Sequence, residues 1–463
     1  MEVKELQNRI EGKVTTATDA GYENLRREVI WNQLTPARYP QLVVQVATEQ
    51  DVVEAVRFAR TNRMKIAVRG GGHSWVGFSL RDGSLLIDLG HLNQVAIDHQ
   101  ARTAAIQPAV TGRVLNQQLA AHGLAFPVGH CPTVPLSGFL LNGGLGWNFN
   151  SWEPACFSVE AANIVTADGS LVVANQEQHA DLLWAIRGAG PGFFAVVTQY
   201  LLKLYPVPRA ITTSTYYYPL PRIEEAGAWA ADIARQLPRE VELNVLCAPA
   251  PPVLAERCRS SNGFVGILSA TAFVDTRSEA AATLSLLESC PVSRECLEKE
   301  VNQSTPLDAL LELVGMLLPE RHRYLADTLW SNSPPAQQLA TVREYFLHAP
   351  SPKSLALCVF PTGVEGSIAV LPDAAFSMTA GTLLFCYAIW KRPEDDGANA
   401  AWHRETIAAL APFAVGHYVG ESDIVAEPAR AARSFAHANW QRLQALRRTY
   451  DPDGLFHGHF SAC

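Results

Sequence analysis

The sequence predicts an α+β protein of more than one domain, and three observations carry that expectation. At 463 residues the chain is about three times the roughly 150 residues allotted to one domain. Between residues 41 and 207, strand-like and helix-like runs alternate and are broken twice by glycine-rich segments. From about 209 to 415 prolines become frequent, and strand-like runs alternate with long helical stretches, the pattern of an antiparallel sheet with helices on it. The expected division is residues 1–208, 209–415 and 416–463.

The elements follow in order. Residues 41–47, QLVVQVA, are rich in branched side chains and read as a strand. Thr48 then opens a helix. It can cap the first turn, with Asp51 three residues on as a weaker form of the capping box. Val52, Val53, Val56 and Phe58 fall largely on one side of that helix. Strands are expected at 65–69, 84–89 and 103–110, and a helix at 112–122 ending near Gly123. Residues 162–174 read as a hairpin turning at Asp168-Gly169. A helix over 179–188 closes on glycine, and 193–207 is strand-rich. In the middle region TTSTYYYPL, GFVGILSATAF, LALCVFP and TLLFCYAIW read as strands. IEEAGAWAADIARQL, SEAAATLSLLE and AAWHRETIAALAPF read as helices, and RHRYLADTLW (321–330) as a solvated helix end. The last helix stops at Asp451-Pro452.

Composition narrows the function. A net charge of −8 argues against a general binder of nucleic-acid backbones, which needs a basic face. The N-terminus has no apolar core of a secretion signal, and no run of about 18 apolar residues is present to span a bilayer. A cytoplasmic protein with no nucleic-acid or membrane partner is expected. The nine cysteines are odd in number, irregularly spaced and without a CxxC. That pattern fits buried thiols better than a disulfide framework or a zinc site. No metal is expected.

Three segments carry chemistry. In VRGGGHS (68–74), three glycines after a strand permit unusual backbone angles and close approach of a ligand, and successive N–H groups can cradle phosphate. No helix follows, so this is not a dinucleotide fingerprint, and no GK[ST] makes it a P-loop. Alone, it also suits a plain tight loop. GHCPTVPLSGFLLNGGLGWN (129–148) is an apolar run broken by five glycines and two prolines. It suits either close backbone packing or a platform pressed on a flat ligand. Cys131, held between His130 and Pro132, is either a structural thiol or a nucleophile. RGAGPGFF (187–194) is equally a tight helix-to-strand connection. His457 and His459 have no acidic or cysteine partners nearby in sequence and fit surface or local packing.

Taken in order, RGGGHS, GHCPTV, VTADG, LLWAIRGAGPGF and YDPDGLF resemble the vanillyl-alcohol-oxidase superfamily, with its PCMH-type FAD-binding domain. The resemblance is nearest to the berberine-bridge-enzyme-like group. It is strong over about 40–208, weaker over 415–460, and in the middle concerns layout. It implies a two-domain fold in which 1–208 and the returning segment 416–463 hold FAD, while 209–415 cover the flavin ring and bind substrate. It implies FAD bonded through the 8α-methyl carbon to His73 and through C6 to Cys131. The loop of Arg69, Gly70, Gly71, Gly72, Ser74 and Gly77 is implied to hold the pyrophosphate. Gly129, Val134, Gly138, Asn142, Gly143, Gly144 and Gly146 are implied to line FAD, with Val165 at the adenine end and Phe456 and His459 closing the site.

The implied reaction is an oxidase reaction. A hydride leaves a C–H next to O or N of a bulky small molecule (a carbohydrate, alkaloid or other secondary metabolite), and O2 is reduced to H2O2. Tyr418 is the first candidate for the base and Glu421 the second. The alternatives are a dehydrogenase using another acceptor and a flavoprotein that has lost turnover and serves as a scaffold. Several segments depart from the family pattern. GPGFF replaces GGNFG, with Gly192 and Phe194 at the Asn and second Gly positions; SWEP (151–154) replaces KYGL. His459 and Ser461 stand at an Asn-x-Asn, and Tyr418-Val419-Gly420-Glu421 at a Tyr-Val-Asn pattern.

Overall fold

The computed structural model describes residues 2–363 and 371–459; Ser461 and Cys463 lie outside the described residues. The helix expected after Thr48 runs from Glu49 to Thr61, and its N-terminus carries the full capping box between Thr48 and Asp51. Asp51 also accepts the backbone N–H groups of Glu11, Gly12 and Ala47, which ties the N-terminal arm to this helix. The helix covers a four-stranded sheet in the order Lys13–Thr16, Leu42–Gln45, Leu85–Asp88, Ile66–Arg69. The first pair is antiparallel and the others are parallel. The parallel strands are short and nearly all buried, as strands covered on both faces must be.

A second sheet has five antiparallel strands: Val95–Asp98, Thr103–Ile106, Val196–Lys203, Val159–Val165 and Leu171–Ala174. Its last pair is the expected hairpin, turning through Gly169 at φ +79°. The third sheet has seven antiparallel strands, in the order Glu298–Ser304, Ala210–Tyr218, Phe264–Val274, Val241–Pro249, Leu355–Phe360, Thr382–Trp390, Arg323–Ser331. Helices Ile223–Ala234, Pro335–Phe346 and Asp396–Leu410 pack on one face and close a core with Leu243, Val245, Phe346 and Leu410. The chain then comes back: Phe456 bridges Ile66 in parallel, and the Ile66 N–H donates to Leu455.

Residues 321–330 correct the expected helix end. They lie largely in the strand Arg323–Ser331, almost wholly buried, paired along its length with Thr382–Trp390. Three basic-looking residues at its start masked the alternation that follows. The buried carboxylate in this strand, Asp327, has its own partner: it forms an ion pair with Arg430 from the returning segment. Burial pushes the Asp327 carboxyl up and Arg430 opposes that push.

Asn32 joins the two layers. Nearly inaccessible, it donates to the carbonyls of Trp75 (2.8 Å) and Tyr324 (2.9 Å) and accepts the Tyr324 N–H (3.0 Å). Among the described residues no helix is long and apolar enough to cross a membrane.

Removing one member of a buried ion pair strands the other charge. Asp327→Ala should therefore lower stability by about 3–5 kcal/mol, read as a fall in the urea midpoint; an unchanged midpoint would show that the pair is not structural.

Candidate functional site

A cleft of about 490 Å³ lies between the glycine-rich loops and the open face of the seven-stranded sheet. Its first wall is the loop after Ile66–Arg69. A Cβ added at Gly70 would stand 1.9 Å from the Ser137 hydroxyl oxygen, and one at Gly71 2.0 Å from Pro135. Gly72 lies at φ +74° with its backbone against Val29. At Gly71 contact with the proline ring leaves no room for a side chain, at Gly72 contact and conformation both require glycine, and at Gly70 the Ser137 hydroxyl would have to turn away. Arg69 is held by Asp88 at 2.8 Å and donates to the Val29 carbonyl.

Of the residues expected at the cofactor, Arg69, Gly70, Gly71, Gly72, His73 and Ser74 line the cleft. So do Gly129, Cys131, Val134, Gly138, Asn142 and Phe456. Six others lie off its wall. Gly143 and Gly144 have positive φ and pack against Phe376 and Phe139, and Gly146 presses on the Pro127 carbonyl. Gly77 turns at φ +57° against Pro36. Val165 is buried in the core under the four-stranded sheet. His459 fills the space beside Gly192 and Trp440.

Two nucleophiles meet in the cleft. His73 stacks on Trp31, with ring centroids 4.9 Å apart. Burial first, and then the nearby Arg69 charge, pull its imidazole down to about 3, so it is neutral at physiological pH and has a lone pair to offer. Burial pushes the Cys131 thiol up. Thr133, whose hydroxyl lies 3.6 Å from the sulfur, works against that rise.

Beyond them stands Glu421. One carboxylate oxygen accepts the Tyr387 hydroxyl at 2.6 Å and the Trp75 indole N–H at 3.1 Å. Burial raises this carboxyl above the ordinary Glu range, with Tyr387, Trp75 and the His130 charge opposing the rise. Tyr418 is also in the cleft, but burial raises its phenol well above an ordinary tyrosine, with Glu421 adding to the rise. That is the wrong direction for a base. The cleft thus holds both candidates for the base, Tyr418 and Glu421. Tyr387 and Trp75 were not identified from sequence. Tyr387 sits in an ordinary apolar run and Trp75 just beyond the glycine loop, and only long-range contacts bring them to Glu421.

The same cleft contains buried polar atoms with no partner among the described residues: the Ser137 hydroxyl, the Asn142 side-chain oxygen, the Ser79 hydroxyl and His457 Nε2. Buried polar groups are ordinarily satisfied, so such a set in one cavity marks the place of a polar ligand.

Comparison with known proteins agrees with this geometry. Residues 40–175 match the model of an FAD binding domain. The FAD-linked oxidoreductase nodO of Hypoxylon pulicicidum is 28% identical over 446 residues, covering 96% of each chain. (R)-6-Hydroxynicotine oxidase of Paenarthrobacter nicotinovorans is 34% identical over 200 residues, 43% of each chain. Among solved structures, berberine bridge enzyme from Eschscholzia californica superposes with a TM-score of 0.81 at 21% identity, over 98% of this chain and 97% of the other. The structure of 6-hydroxy-D-nicotine oxidase from Arthrobacter nicotinovorans gives a TM-score of 0.82 at 22% identity, over 98% of each.

The cleft fits FAD: it pairs a glycine cradle, closed to a Cβ at Gly71 and Gly72, with buried polar atoms that have no partner among the described residues. Gly71→Ala should cut the flavin-to-protein absorbance ratio of purified protein by more than half while leaving far-ultraviolet circular dichroism unchanged. Full flavin loading in that variant would show that the close approach to Pro135 is not needed.

Proposed function

We propose that this chain is a berberine-bridge-enzyme-like FAD-dependent oxidase that tethers FAD to both His73 and Cys131, with Glu421 as its base. The observation that carries this reading is the meeting of His73, Cys131 and Glu421 in one cleft, although they are far apart in the chain. FAD, when bound, supplies the two-electron acceptor that takes a hydride from a C–H next to O or N and passes the electrons to O2, giving H2O2. The loop Arg69–Ser74, with Ser137 and Asn142, holds its polar parts, and Gly129, Val134, Gly138 and Phe456 its apolar surfaces.

The protein's own groups divide the remaining work. His73, kept neutral, offers an imidazole nitrogen as one tether. Cys131 offers its sulfur as the other, after losing its proton. Two tethers fix the cofactor without full enclosure, which leaves the open face of the sheet for a bulky small molecule.

Glu421 takes the proton from the O–H or N–H of the substrate as the neighbouring C–H is oxidised. Tyr387 and Trp75 orient the carboxylate by holding one of its oxygens, leaving the other for the substrate. The base must be ionised to act, and its carboxyl is raised. The acid limb of the rate profile therefore lies above that of an ordinary carboxylate, with activity lost as pH falls through it.

Two measurements test this. Acid-precipitated protein should keep its yellow colour in the wild type, in His73→Ala and in Cys131→Ala, and lose it in the double variant. A colourless wild-type pellet would remove both tethers from the proposal. Glu421→Gln should slow flavin reduction about 10²–10⁴-fold and abolish the acid limb, while Tyr418→Phe should retain it. The opposite ranking would return Tyr418 to the role of base.

A further inference from the structure

The seven-stranded sheet turns one face to its helices and the other to the cleft. On the strand Val241–Pro249, Val241, Leu243, Val245 and Cys247 enter the core, and Glu242, Asn244 and Leu246 face the cleft. The register carries this face across the sheet in rows. Asn244 stands opposite Ser269, which stands opposite Thr215. The next row is apolar: Ile267, Leu246, Leu357 and Phe385 lie side by side. The row after it ends at Tyr387, which holds Glu421.

The polar row is not simply a wet rim. Glu242 beside it is buried, and both its oxygens are engaged: one accepts the Asn148 N–H and the other lies 3.7 Å from His130 Nε2. Asn244 differs. Its amide is turned to the cleft, and among the described residues no side chain or backbone group takes it up. An amide offers both a donor and an acceptor, as do the hydroxyls of Ser269 and Thr215 beside it. The Ser269 and Thr215 hydroxyls lie 3.4 Å from each other, and the row runs on to Glu300 at the edge of the cleft; nearest Asn244 the partners are uncharged and both give and accept, which suits a hydroxyl group.

We propose that the cleft takes a rigid, mostly apolar, multi-ring substrate, and that Asn244 binds a hydroxyl group at the end remote from the carbon being oxidised. This rests on the reading that Glu421 and Tyr387 mark the reacting end. Asn244 and Tyr387 are two strands and four residues apart, about 17 Å along the sheet at ~4.8 Å per strand and ~3.4 Å per residue. Allowing for the reach of the side chains leaves on the order of 10 Å between the polar ends of the ligand. The apolar row fills that interval. A free sugar has a hydroxyl on nearly every carbon, and those laid on this row would lose water without gaining a partner.

The probe is 17β-estradiol, a rigid four-ring molecule with a hydroxyl at each end, set against its 17-deoxy analogue and cellobiose. Binding to the flavin-loaded protein is read by quenching of tryptophan fluorescence, since Trp75 and Trp147 line the cleft, and by perturbation of the flavin spectrum. Estradiol should saturate and cellobiose should give no signal. Asn244→Leu should weaken estradiol at least tenfold and leave the deoxy analogue within twofold. Leu357→Asn should weaken both, with flavin content and circular dichroism confirming that each variant is folded. Tighter binding of cellobiose, or no binding of estradiol to the wild type, would overturn the substrate class. Equal estradiol affinity in Asn244→Leu would overturn the subsite. None of these readouts depends on turnover, so failure of Glu421 as base would show separately.

Discussion

The site depends on one steric constraint, the approach of the 70–72 backbone to the segment 135–137. A Cβ at Gly70 or Gly71 would stand about 2 Å from Ser137 or Pro135, closer than any non-bonded pair tolerates. With no side chains on 70–72, the two segments close into a slot lined by that backbone and by the Ser137 and Pro135 side chains. The strand before the loop is locked by its parallel neighbour and by the Arg69–Asp88 pair, so the slot cannot widen freely. His73 leaves this loop and Cys131 leaves the facing one, so the same constraint sets both nucleophiles in one cleft.

Electrostatics then separates the roles of buried groups. Desolvation acts on His73, Cys131, Glu421 and Tyr418 alike, but with opposite consequences by charge type. It keeps the imidazole neutral and therefore nucleophilic. It keeps the phenol protonated. For the carboxyl it narrows the gap to neutral pH, which improves a proton acceptor as long as the group still ionises. Tyr387 and Trp75 secure that last condition by donating to the carboxylate.

Much of this was legible in the sequence, for local reasons. The capping box at Thr48, the hairpin at Asp168-Gly169 and the glycine loop at 70–72 are each written within a few residues. Cys131 and His73 were singled out by their place in motifs that resemble a family. The rest depends on pairing over long distances. RHRYLADTLW reads as a helix end because its basic start hides a buried strand, and Arg430, the partner of Asp327, lies about a hundred residues on. Tyr387 sits in an apolar run in which every residue is buried, so periodicity does not mark it out. The glycines at 143, 144 and 146 share the look of the cradle, but the structure uses them to pack against Phe376, Phe139 and the Pro127 carbonyl.

Glu421 shows why the chain returns to its beginning. Its carboxylate is held by Trp75, from just beyond the glycine loop, and by Tyr387, from the seven-stranded sheet, while Glu421 itself belongs to the returning segment. Asn32 and the Asp327–Arg430 pair clamp these same three parts of the chain together. The held carboxylate is thus a property of the assembled joint. The cleft face of the sheet meets Glu421 only where that joint closes.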